Sequence, residues 1–199
     1  MKPYVYLLLS LLAITLVLTA AAPAQTVGDH SYYFVTYYSN ANEGGPDATV
    51  RVINDGDTGA NLWASFYVFD DSQEMQECCS CLVSADGLTS ESVQRNLAGN
   101  TLTGHVPTRG VIKIISSSVN AGGPTNFTNT LASGLRIWST HVQRDEPGSG
   151  LFHVSETTAA SSNLISSDKQ VMETLCLYIN LLGGGGQGVC SCTPEDADF

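Results

Sequence analysis

Six cysteines fall into two groups of three, Cys78, Cys79 and Cys81 in mid-chain and Cys176, Cys190 and Cys192 near the end, with a long cysteine-free stretch between them. In an oxidising compartment an even set of this kind implies disulfides, and six cysteines leave fifteen pairings formally open. Adjacent Cys78 and Cys79 can bond to each other only through a strained eight-membered ring, so bridges between the groups are preferred and six pairings remain. Any of these clips the end of the chain to its middle. Closing a loop of about 100 residues is worth roughly 4.7 kcal/mol in the chain-entropy treatment, comparable with the net stability of a small domain. The competing reading is a thiolate metal site, because Cys79-Ser-Cys81 and Cys190-Ser-Cys192 repeat one tripeptide. Zinc sites more often place two or more residues between ligands, so all six cysteines are read as disulfide partners, with no metal and no cofactor.

The start of the chain names the compartment. Met1 to Ala24 opens with one cation, Lys2, runs through an apolar stretch from Val5 to Leu18 and ends Ala22-Pro23-Ala24, with small residues where a signal peptidase reads. Cleavage near Ala24 leaves residues 25–199 as a single exported domain; the alternative is an uncleaved anchor, since Val5 to Ala22 approaches spanning length. The whole chain carries 8 Lys and Arg against 19 Asp and Glu, and loss of Lys2 with the leader leaves seven cations and a charge of −12. No basic cluster interrupts that negative field, so nucleic acid and anionic lipid are poor partners. The mature form is expected to be free of the membrane, secreted or at the cell surface, with other copies of itself or surface proteins as partners. Only 14% of residues are charged, so Ser, Thr, Asn and Gly must supply most of the polar surface.

Short apolar runs between turn residues predict the fold class. Ser31 to Tyr38 is aromatic and β-branched, and Ala48 to Asn54 alternates Val50 and Val52 against Thr49, Arg51 and Ile53. Leu62 to Phe69, Arg109 to Ser116, Gly134 to Gln143 and Leu151 to Ser155 supply four more strands, with weaker candidates around Leu82 to Leu88. The pattern predicts a mostly β, antiparallel immunoglobulin-like sandwich. Thr89 to Leu97, with Val93 and Leu97 four apart and Gly99 beyond, predicts a short helix. Ser167 to Leu182 predicts a longer one: Val171, Met172, Leu175, Cys176, Ile179 and Leu182 form a stripe between a Ser cap and the Gly183 to Gly186 stop. Gly183 to Gly188 is read as a flexible strap leading to the last cysteines.

Around Tyr67-Val-Phe-Asp-Asp-Ser-Gln-Glu-Met-Gln-Glu-Cys-Cys-Ser-Cys81 the chain resembles an uncharacterised family of secreted bacterial cysteine-rich proteins that share a strand ending YVFD followed by QEMQECC-x-C. Leu102-Thr-Gly104, Arg109-Gly-Val-Ile-Lys113 and the Leu-Gly plus Cys ending are similar too. The resemblance implies a secreted cysteine-rich domain and carries no activity.

No catalytic motif stands out. Gly148-Ser149-Gly150 lacks the G-x-S-x-G pattern of a hydrolase elbow, and His30, His105, His141 and His153 are isolated, although His141 and His153 lie on candidate neighbouring strands and could face one another. Asp70, Asp71, Glu74 and Glu77, and separately Asn54-Asp55-Gly56-Asp57, are acidic stretches that could offer oxygens to calcium, but neither matches the twelve-residue loop. Two function classes remain. One is a structural or interaction module, in its sharper form a pilus-like filament subunit whose N-terminal segment, with Tyr32, Tyr33, Phe34, Val35, Tyr37 and Tyr38, adds as a strand to a neighbouring copy. The other is an extracellular ligand- or cation-binding protein or a hydrolase of unknown substrate.

Overall fold

A computed structural model describes residues 31–39, 41, 44–98, 107–119, 131–182, 190 and 192. The signal segment, the glycine strap, His30, His105 and Leu102 to Gly104 lie outside these residues. Nine strands are described: β1 (Tyr33–Tyr38), β2 (Thr49–Asn54), β3 (Leu62–Asp70), β4 (Met75–Val83), β5 (Leu88–Ser92), β6 (Gly110–Ser118), β7 (Leu135–Arg144), β8 (Phe152–Thr158) and the two-residue β9 (Ala160–Ser161). One helix, α1 (Ser166–Leu182), follows. The strands form two antiparallel sheets, ordered β4-β3-β6-β1-β9 and β5-β2-β7-β8. They pack face to face as the alternation requires.

The larger sheet is covered on both sides. Phe34, Tyr38, Leu62, Ala64, Phe66, Val68, Ile112 and Ile114 point inward and meet Val50, Val52, Leu135 and Ile137 of the smaller sheet. The residues between them, Tyr33, Tyr67, Cys78 and Ile115, point outward and are buried by Met172 and Cys176 of α1. Double coverage explains why β3 (LWASFYVFD) reads as an almost unbroken apolar run, whereas β8, at the edge of the smaller sheet, has no buried residue. At the far side the chain crosses between sheets, since Thr158 pairs with Trp138 while Ala160 already pairs with Val35.

Cys78, Cys79 and Cys81 lie on β4, a strand the apolar pattern does not mark, which forms a hairpin with β3. Two expectations are corrected. The segment Thr89 to Leu97 is not an α-helix: β5 occupies Leu88–Ser92, and only Val93–Leu97 coils, as one π-helical turn. Thr89 and Glu91 belong to the inward face of a strand paired with β2, so the Val93 and Leu97 spacing covers a single turn. In α1 the seated stripe is narrower than predicted, Met172, Cys176 and Ile179, at i, i+4 and i+7, whereas Val171 and Leu182 are exposed.

Gly110 shows how closely the sheet is drawn together where β6 begins. A Cβ at that position would lie 1.9 Å from the Phe69 carbonyl oxygen and 2.8 Å from the Tyr38 hydroxyl. Gly110→Ala is therefore expected to destabilise the fold by about 3 kcal/mol or more, because backbone on the β3 side must move to admit one methyl. Urea unfolding of the purified variant measures that loss.

Candidate functional site

The cysteine-bearing strand organises the most distinctive part of the molecule. Side chains alternate across a strand, so consecutive Cys78 and Cys79 must face opposite ways and Cys81 must share the side of Cys79. Cys78 accordingly packs with the outer cluster beneath α1, and Cys79 and Cys81 pack with the inner core. The bridges follow: Cys78 to Cys176 on the helix, Cys79 to Cys190, and Cys81 to Cys192, with Cα–Cα separations of 5.8, 5.2 and 5.3 Å. All are separations that disulfides ordinarily span. No cysteine is free. Of the six inter-group pairings left open by the sequence, the structure has this one.

The two inner bridges have the same sequence separation, 111 residues, so the tail passes β4 in the same direction as the strand. Cys192 Sγ lies 3.2 Å from the Ser80 carbonyl oxygen, which sets the tail directly against the strand. The sulfur atoms of Cys79, Cys81 and Cys192 fall within 4.8 Å of one another. On the other side, Asn180 of α1 donates to Cys176 O at 2.9 Å and sits 3.6 Å from Cys78 Sγ, so the helix bridge has a polar neighbour at its end.

The acidic stretch after β3 does not act as a unit. Asp70 is buried and organises the β3–β4 hairpin: its Oδ1 accepts from Ser72 N and Glu74 N, both at 2.9 Å, and its Oδ2 accepts from Gln76 Nε2 at 2.6 Å. Asp71 pairs instead with Arg109 at 2.7 Å, Glu74 is exposed in the turn, and Glu77 is buried on β4. Tyr38 donates to Phe69 O at 3.3 Å in the same corner. Its phenol is pushed well above its ordinary range, chiefly by burial and then by Asp70, Glu77 and Asp71. The second carboxylate turn is likewise occupied, with Asp55 paired to Arg136 at 3.1 Å and Asn54 Nδ2 bonded to Ala60 O and Val83 O.

His141 and His153 do not make a pair. His141 is buried, its ring stacked on Tyr37 of β1 with centroids 4.0 Å apart, and its Nε2 lies 2.7 Å from Thr157 Oγ1. His153 is exposed and faces Asp145 at 3.1 Å. The Thr157–His141 contact resembles the nucleophile and base of a hydrolase, but among the described residues no carboxylate bonds to His141 Nδ1 to orient it. Ser149, in the turn before β8, donates to the Glu146 carbonyl at 2.9 Å. Sequence reasoning missed the Tyr37 contact because it joins strands of different sheets, which no local periodicity reveals.

The predicted assembly segment sits in its own domain. Tyr33–Tyr38 pairs with β6 along all six residues, Phe34 and Tyr38 enter the inner core, and Tyr32 and Val35 pack on the outer cluster. Tyr37 is half-exposed above His141, and Ser39 Oγ donates to Val142 O at 2.6 Å just beyond the strand. Comparison with known protein families, curated proteins and solved structures finds no match for this chain.

Two outcomes are expected. Replacing both Cys78 and Cys176 with Ser opens a 98-residue connection and should lower stability by about 2–5 kcal/mol, read by urea unfolding, with α1 the first element to lose amide protection in hydrogen exchange. Burial also holds the His141 imidazole below its ordinary value of 6.5, against a smaller opposing influence from the Tyr37 backbone, so the unfolded chain takes up a proton more readily than the folded one. Stability is then full above that value and falls as pH drops through it. The urea midpoint should decline between about pH 7.5 and pH 5.5, and His141→Gln should flatten the decline.

Proposed function

We propose that this chain is an exported scaffold and interaction module that works at the cell surface or outside the cell, with copies of itself or surface proteins as partners. The observation that carries the reading is the complete set of three bridges. They bind helix and tail to a β-sandwich and suit a compartment in which thiols stay oxidised. Among the described residues no helix is long and apolar enough to cross a membrane. A chain with only 14% charged residues fits the same role.

Assembly through β1 is the sharper form of the proposal. Only Phe34 and Val35 pair with β9, so β1 lies one two-residue strand from the edge of its sheet. Its own sheet is filled by its own β1, and donation between copies therefore exchanges like for like in the same slot along β6. A paired cysteine lock tests this. Val35 and Lys113 are direct cross-strand partners, at a spacing a disulfide can bridge. If exchange builds polymer, Val35→Cys with Lys113→Cys should give monomers under oxidising conditions and recover fibres on selective opening of the lock, as seen by electron microscopy and size-exclusion chromatography. Undiminished fibres from the locked variant would dismiss exchange, and a native product whose cysteines prove reduced would dismiss the scaffold reading itself.

A further inference from the structure

We infer that the two bridges on the inner side of β4 form a redox-gated metal site: once they open, Cys79, Cys81, Cys190 and Cys192 present four thiolates to one zinc ion. This inference is separate from the scaffold reading and concerns the reduced state of the clip. Three of the sulfurs, from Cys79, Cys81 and Cys192, already lie within 4.8 Å of one another, and the fourth, from Cys190, is bonded to that of Cys79. A tetrahedral zinc centre with bonds of about 2.3 Å holds its sulfurs about 3.8 Å apart. The bonded pairs must therefore part by about 2 Å and the spacings among Cys79, Cys81 and Cys192 close by about 1 Å or less, while the Cys190 sulfur, which lies outside that 4.8 Å group, must swing in toward them.

The sequence places the donors to match. Cys79 and Cys81 are two apart on a strand and share a face, and the tail, passing in the same direction, offers Cys190 and Cys192 at the same interval. Four thiolates are a soft donor set that selects zinc over the hard cations calcium and magnesium. Cys78 takes no part, since it faces the other way and is fully buried with Cys176 beneath α1.

Access sets the order of opening. Cys192 is exposed, whereas Cys79, Cys81 and Cys190 are buried, so a small dithiol from solvent meets the Cys81–Cys192 bridge first. Each bridge takes two electrons and two protons from the dithiol, which departs as its cyclic disulfide, and the four cysteine thiols release four protons as zinc binds.

The test uses the whole processed chain, reduced anaerobically with a water-soluble phosphine, freed of reductant, and titrated with cobalt(II) and then zinc. One cobalt per chain should bind with tetrahedral ligand-field bands and an intense thiolate charge-transfer band, and zinc should displace it. Mass mapping under limiting phosphine should find Cys78–Cys176 still closed when the other bridges have opened. The Cys79→Ser with Cys190→Ser variant should lose the tetrahedral spectrum. The inference fails if the reduced wild-type chain takes up no cobalt, folded or not, if the spectrum is octahedral, or if that double variant keeps the tetrahedral signal. Equal uptake by the oxidised chain would overturn the gating.

Discussion

The alternation of side chains along β4 is the constraint on which the rest of the molecule depends. A CC-x-C run on a strand sends one sulfur to one face and two to the other, whatever surrounds it. In this sandwich one face looks toward a helix and the other toward the space between sheets, so the sorting fixes which distant cysteine each can reach. The edge of the larger sheet is thereby tied from both sides. An edge strand ordinarily exposes unpaired backbone to other chains, and at β4 the Cys192 sulfur rests against the Ser80 carbonyl.

The same geometry explains the uneven character of the strands. Sheet order puts β3 and β6 in the middle of a layer buried on both faces, and β3 accordingly carries apolar residues at nearly every position, while β6 does so through Ile115 and buries Ser116 and Ser117 beyond it. The smaller sheet has one buried face, and β2 alternates throughout while β7 alternates up to His141, where the stack on Tyr37 and the buried Val142 break the period. Where β1, β7 and β8 meet, the stack of Tyr37 on His141 and the bond from Ser39 to Val142 O join the two sheets without a strand pair between them. The corner thus rests on side chains, while the opposite edge rests on sulfur.

Much of this was legible in the sequence, and the gaps have physical causes. The six strongest strands, the long helix and the link from mid-chain to tail all follow from period, caps and cysteine arithmetic. β4 did not, because Met-Gln-Glu-Cys-Cys-Ser-Cys carries Gln76 and Glu77 where a buried strand is expected to be apolar; both are buried here, and Gln76 is satisfied by Asp70. Missing that strand left the cysteine pairing undetermined, since the sorting of sulfurs by face needs a strand to act on. The acidic stretch misled for a related reason: spacing in sequence says nothing of Asp70 being spent on the amides of its own turn. The helix stripe was overdrawn because Val171 and Leu182 have the right period but lie outside the narrow contact that a flat sheet offers one helix.

The placement of the three bridges also bears on how the protein ages in a protease-rich setting. Cys176 holds the helix and Cys190 and Cys192 hold the tail, so the glycine-rich connection that begins at Gly183 has an anchor on either side of it. A nick in that connection severs the polypeptide without releasing either fragment. The product gains only the one water consumed by cleavage and stays in one piece, and reduction followed by denaturation separates the two fragments.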